Sequence, residues 1–226
     1  MGKRKIKDLS NINSVKNFKK NIEKTYQFFS GLEINIFTTK EVFRMFKARR
    51  HPKFKEYQNI VEFNKARLSY LYELGFIALF SNFEFFMYDL LRDLFKKYPN
   101  SFKKEKMVSY EEVSDFKNVR EIKEYIVDSL AIEKAYDVKS WREFINRNFK
   151  ITIFKTKKQF RLLLMLNALR NIFLHGGGVT NSKFRREMKE LLKTQIPLKR
   201  KITLDRKTYF ENLYRLLKGL TLERSN

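Results

Sequence analysis

The chain has 226 residues, 43% hydrophobic and 15% aromatic, which is enough apolar content for a packed core and argues against global disorder. Cysteine is absent, which excludes disulfides and thiolate chemistry. Lys and Arg number 49 against 25 acidic residues, a net charge of +24; such a charge favours a polyanionic partner, nucleic acid before membrane, with solubility or a lysine-rich proteome as the plainer reading.

The start, MGKRKIKDLS, is basic with no apolar core behind it and does not read as a secretory signal. Ile6 stands where a myristoylation signal carries Ser or Thr. No apolar run is expected to be long enough to cross a bilayer; the absence of cysteine fits a cytoplasmic protein, and no membrane partner is expected.

From Asn13 to Ser30, Val15, Phe18, Ile22, Tyr26 and Phe29 recur at steps of three and four, which predicts a helix ending at Gly31. A short segment, Thr38 to Arg49, follows and ends before His51 and Pro52. A long pattern runs from Phe54 to Tyr98 and is closed by Pro99; Gly75 within it marks a kink or a close helix contact. The stretch FIALFSNFEFFMYDLLRDLF is apolar on most sides and belongs deep in the fold, with Phe80, Phe83, Phe85 and Phe86 as packing residues.

Residues 100–117 read as a polar connection. Asn118 to Tyr136 and Ser140 to Asn148 are two further helices, the second carrying Trp141. Lys157 to His175 is a helix, and Asn181 to Thr194 is a short, very basic one. Pro197 interrupts, and Asp205 caps a last helix reaching about Leu220. ITIF at 151–154 and KIT at 201–203 are candidates for extended backbone, too short for a sheet-based fold. One all-α domain is predicted over residues 1–226.

The stretch LRNIFLHGGG, 169–178, carries the chemistry. At about 100° per residue, Asn167, Asn171 and His175 lie within about 140° of Arg170 on the helical wheel. The opposite arc holds Leu162, Met165, Leu166, Ala168, Leu169, Ile172 and Phe173 and must bury. Phe160, Leu163, Leu164 and Leu174 share the polar arc, so that face suits a cleft or a subunit interface. Arg170 and His175 are about 7.5 Å apart along the axis, close enough for both tips to reach one phosphate. The glycines supply positive φ and close the helix beside His175. Arg170 can then hold an anion while His175 moves a proton next to it.

An arginine, a polar residue, apolar residues and a histidine near a helix end resemble the R-x(4–6)-H signature of HEPN-domain proteins, here Arg170-Asn171-Ile172-Phe173-Leu174-His175. The Gly-Gly-Gly-Val-Thr-Asn that follows resembles bacterial members of the family. SNFEFFMYDLL, with Glu84, is similar to the family helix that packs against the motif. The resemblance covers about 55–98 and 157–222, with 100–150 as an insertion or divergent region. It implies an antiparallel helical bundle with extra helices, and metal-independent cleavage of single-stranded RNA by 2′-OH attack. It implies a composite site at a homodimer interface, no cofactor, and products ending in a 2′,3′-cyclic phosphate and a 5′-hydroxyl. Arg170 and His175 are the expected catalytic residues. Asn171 orients His175 or the phosphate, Asn167 plays a supporting part, and Glu84 sets the Arg170 rotamer. A role as toxin or antiviral defence effector, with a nucleotidyltransferase-type antitoxin as partner, is implied by the resemblance alone.

Blander readings stand beside these. His175 in a last helical turn bonds a carbonyl, Arg170 is a structural ion-pair partner of Glu84 or Asp89, Asn167 is structural, and Glu84 is a satisfied buried acid in a Phe-rich helix. Lys183, Arg185 and Arg186 steer RNA or form a solvated face. Arg44 and His51 also fit the loosest motif spacing, but in a basic, surface-like run that reads as accidental. There is no HExxH, zinc spacing, Walker loop, dinucleotide fingerprint or GxSxG elbow. The rival function is a non-catalytic helical module that binds RNA or a protein.

Overall fold

The computed structural model of the chain describes residues 12–49, 52, 54–101, 109–135, 138–154, 156–193, 195–220 and 222–224. The architecture is all-α, as expected. Among the described residues there are eight α-helices: α1 Asn13–Ala48, α2 Phe54–Lys97, α3 Tyr110–Ser114, α4 Val119–Ala135, α5 Val138–Phe149, α6 Lys157–Gly176, α7 Ser182–Leu192 and α8 Asn212–Lys218. A 3₁₀ turn at Pro99–Ser101 closes α2, and a π-helical turn, Arg206–Glu211, leads into α8. Ile151–Thr152 (β1) pairs antiparallel with Glu223–Arg224 (β2), so part of ITIF is extended.

The chain divides into two compact units, and the division falls inside α1, α2 and α6. The first unit takes Met1–Lys19, Asn82–Leu164 and Gly219–Asn226. Its core is aromatic: Phe18 stacks on Phe86 at 4.4 Å, and Phe83 meets the edge of Trp141 at 5.2 Å. The indole N–H of Trp141 donates to the carbonyls of Lys134 and Ala135, so the buried tryptophan also closes the end of α4. Arg92 pairs with Asp128 at 2.6 Å between α2 and α4.

The second unit takes Lys20–Ser81 and Met165–Lys218. Here the predicted stop at Gly31 is overridden, and α1 runs unbroken to Ala48. Glycine inside a helix costs about 1 kcal/mol, but the residues beyond it are anchored. Glu33 is only 5% exposed, and its carboxylate accepts from the Tyr72 hydroxyl on α2 and from Arg206 in the π-helical turn. Burial, then the Glu33 carboxylate, hold the Tyr72 hydroxyl well above the usual phenol range. Arg206 also donates to Glu211 at 2.8 Å, five residues on, a spacing that a π turn brings into line.

Gly75 marks a close contact rather than a kink, and α2 continues through it. A Cβ there would stand 2.8 Å from the Phe210 ring and 3.1 Å from Phe29. Contrary to expectation, α2 carries a stretch, Leu68–Lys97, long and apolar enough to cross a bilayer, with mean hydropathy 1.4. Half of that window is buried, because the same phenylalanines and leucines build the core. Phe80, Phe83 and Phe86 are packing residues as expected, whereas Phe85 is 68% exposed. It occupies the outward side of a helix whose neighbours on either side point inward.

Candidate functional site

The motif helix starts and stops where local chemistry dictates. Thr156 Oγ1 accepts from the Gln159 N–H and Gln159 Oε1 accepts from the Thr156 N–H, a capping box at the entrance to α6. At the other end Gly177 and Gly178 take φ of 55° and 79°. Val179 N–H donates to the Gly176 carbonyl at 3.0 Å, and Gly178 N–H donates to Ile172 at 3.0 Å. Two successive positive φ values make this turn, which is why the sequence has glycine at both positions.

Leu166, Ala168, Leu169, Ile172 and Phe173 are buried, as the wheel requires, whereas Leu162 and Met165 on the same arc are only half-buried. Leu163, placed on the polar arc by the sequence, is 0% exposed and belongs to the core instead. The arc therefore opens only towards its last turn, where Leu174 is 43% exposed and His175 is exposed. A wheel gives directions around one helix; how much of each direction is covered depends on what packs against it.

Arg170 is half-buried. Its Nη1 donates to Asn171 Oδ1 at 3.1 Å, and its guanidinium carbon lies 5.9 Å from the centre of the Phe80 ring, within cation–π range. Asn171, expected to orient His175 or a phosphate, is thus a partner of Arg170. Asn167 is half-buried one turn earlier, and Glu84 is half-buried on α2 in the first unit. Lys183 and Arg186 are exposed and Arg185 is half-buried on α7. That helix is capped at its start by Asn181, whose Oδ1 accepts from Phe184 N–H. Arg186, Lys189, Glu190 and Lys193 line a shallow surface hollow of about 440 Å³. His51, the end of the second arginine–histidine match, lies outside the described residues.

A further feature was invisible in the sequence. The chain after the glycine turn pairs with the chain after Pro197. Val179 bridges Lys201 antiparallel, and Ile202 N–H donates to the Gly178 carbonyl at 2.9 Å. Thr180 is the hub and is only 2% exposed. Its N–H donates to the Arg200 carbonyl and its own carbonyl accepts from Lys199 N–H, both at 2.9 Å. Its hydroxyl donates to the Pro197 carbonyl at 2.7 Å and accepts from Arg200 N–H at 2.9 Å. Lys201 Nζ donates to the Gly177 carbonyl. The backbone of Lys199, Arg200 and Lys201, whose side chains are exposed, is therefore fixed beside the turn that follows His175. The only local signal was Lys-Arg-Lys after a proline; the pairing spans about twenty residues, beyond the reach of periodicity.

Among the described residues no group of three or more His, Asp or Glu side chains is placed to hold a metal ion. Comparison with family models, with curated proteins and with solved structures finds no match to this chain.

Proposed function

We propose that the chain is a metal-independent, HEPN-type endoribonuclease acting on single-stranded RNA. The observation that carries the reading is one helix end bearing both an anchored guanidinium and an exposed imidazole: Arg170, held by Asn171 and the Phe80 face, and His175 in the last turn before a glycine stop. Those are the two groups the chemistry requires. The ribose 2′-oxygen forms a bond to phosphorus while the P–O5′ bond breaks. A base removes the 2′-OH proton and an acid returns one to the leaving 5′-oxygen. Arg170 stabilises the charge that builds on the phosphorane oxygens. A two-fold dimer brings a second histidine, so that one serves as base and the other as acid. The exposed Leu174, next to His175 in the chain, and the 39%-exposed Val179 after the glycine turn suit a rim that a second subunit covers. The net charge of +24 supports a polyanionic substrate. A place as toxin or antiviral effector in the cytoplasm, restrained by a partner protein, belongs to the same reading.

The test is cleavage of a single-stranded RNA with chelator present, comparing wild type with Arg170→Ala and His175→Ala. Each variant is expected to keep its helical circular dichroism and to lose at least about 100-fold in rate. Wild-type products should end in a 2′,3′-cyclic phosphate. Undiminished cleavage by both variants would sink the proposal. A wild type that binds RNA but never cuts it would favour the non-catalytic module.

A further inference from the structure

We infer that the Pro197–Lys201 segment is the substrate-backbone clamp of this site: Lys199, Arg200 and Lys201 hold the phosphates of single-stranded RNA next to the linkage presented to His175. The inference rests on the ribonuclease reading for its location, and on the ribbon for its geometry. Three consecutive cations on a free loop would be a solvated charge run. Here the backbone that carries them is fixed by four hydrogen bonds between Pro197, Lys199, Arg200 and one buried residue, Thr180, and by an antiparallel bridge from Lys201 to Val179. The Lys201 ammonium reaches the carbonyl of Gly177, two residues beyond His175. The segment is thus tied to the turn that follows His175 in the chain, with α7 and its exposed Lys183 and Arg186 continuing from the same ribbon at Asn181.

The backbone at Lys199 adds a second observation. Its φ is 57°, in the left-handed region where glycine is the natural occupant and other side chains cost about 1 kcal/mol or more. The ribbon holds a lysine there and keeps its side chain exposed. Lys150 and Lys193 take the same conformation, so the backbone alone does not mark the site; what distinguishes Lys199 is its bond to buried Thr180. Phosphates are favoured over bases as the ligand because the segment offers cations and backbone but no aromatic ring for stacking.

The experiment uses the full chain and an oligouridine of about 20 nucleotides, 2′-O-methylated throughout so that binding is measured without cleavage. Affinity is followed across a salt series for wild type, Lys199→Gly/Arg200→Gln/Lys201→Gln and a charge-matched control, Lys16→Gln/Lys19→Gln/Lys20→Gln. For single strands the slope of log K against log salt is about 0.7 per phosphate contact. The site triple should therefore lose about 2 from the slope and about tenfold in affinity at physiological salt. The control should stay within about twofold of wild type.

Lys199→Gly alone relieves the left-handed backbone, so its fold is retained. It should still lower the slope by about 0.7. With cleavable RNA the triple should raise KM while leaving kcat nearly unchanged. Wild-type affinity and slope in the triple, or equal losses in the control, would overturn the clamp while leaving the roles of Arg170 and His175 standing. Binding lost in the triple, together with a wild type that never cleaves RNA, would uphold the clamp and reject the nuclease. A wild type that does not bind the oligonucleotide at all rejects both.

Discussion

Four glycines on or beside the motif and core helices do different jobs, and the differences can be measured. A Cβ on Gly178 would lie 2.6 Å from the Phe173 ring and 3.1 Å from the Ile202 carbonyl, at a φ of 79°. Gly178→Ala should cost about 2 kcal/mol or more in urea unfolding and should also impair cleavage, because Phe173 lies in the same last turn of α6 as His175. Gly176 meets nothing within 4 Å and lies inside α6, so Gly176→Ala should be neutral or stabilising by up to about 1 kcal/mol. The same contrast separates Gly75, closed in by Phe210 and Phe29, from Gly31, which faces open space within α1. Gly75→Ala should destabilise by about 1–3 kcal/mol and Gly31→Ala should stabilise by up to about 1 kcal/mol. Equal unfolding midpoints within either pair would refute the assignment.

At the scale of elements, α1 and α8 are joined by polar contacts beside the stacked rings of Tyr26 and Tyr214. Glu23 accepts from the Tyr214 hydroxyl and, at 3.3 Å, from Lys218. The Tyr214 bond, and then Lys218, hold the Glu23 carboxyl below its ordinary value. A depressed carboxylate contributes stability above its unfolded pKa, and that stability is lost as pH falls through the folded value. Glu23→Gln should therefore lower the urea midpoint at neutral pH and should flatten its decline between neutral pH and about pH 3. An acid limb identical to that of wild type would show that this contact does not contribute. Thr180 governs the ribbon in the same way. Thr180→Val removes both hydroxyl bonds at a buried position and should cost about 1–3 kcal/mol. RNA affinity should fall with it, since Lys199 and Arg200 lose the support that fixes them.

At the scale of the whole molecule, the proposed dimeric site makes one further expectation. Cleavage per mole of chain should fall on dilution through the dimer dissociation constant, as followed by sedimentation in parallel with activity. Cleavage unaffected by dilution into a monomeric range would place acid and base within one chain.

Much of this was legible in the chain before any coordinates. The boundaries of α2, α4 and α6, the cap at Asp205, most of the buried face of α6 and the glycine stop all follow from interactions reaching only a few residues along the chain. Hydrophobic spacing, capping oxygens and glycine's access to positive φ act at that range and leave their mark in order along the sequence. What tertiary structure alone decided lies between residues far apart. Glu33 and Arg206, 173 positions from one another, carry α1 past a glycine that should have ended it. Thr180 and Arg200, twenty positions apart, turn a basic run after a proline into a fixed edge beside His175. Burial of Leu163 and exposure of Phe85 were set by which neighbours covered each side of a helix. Such contacts form only when distant segments meet, so periodicity and propensity, being local, hold no record of them.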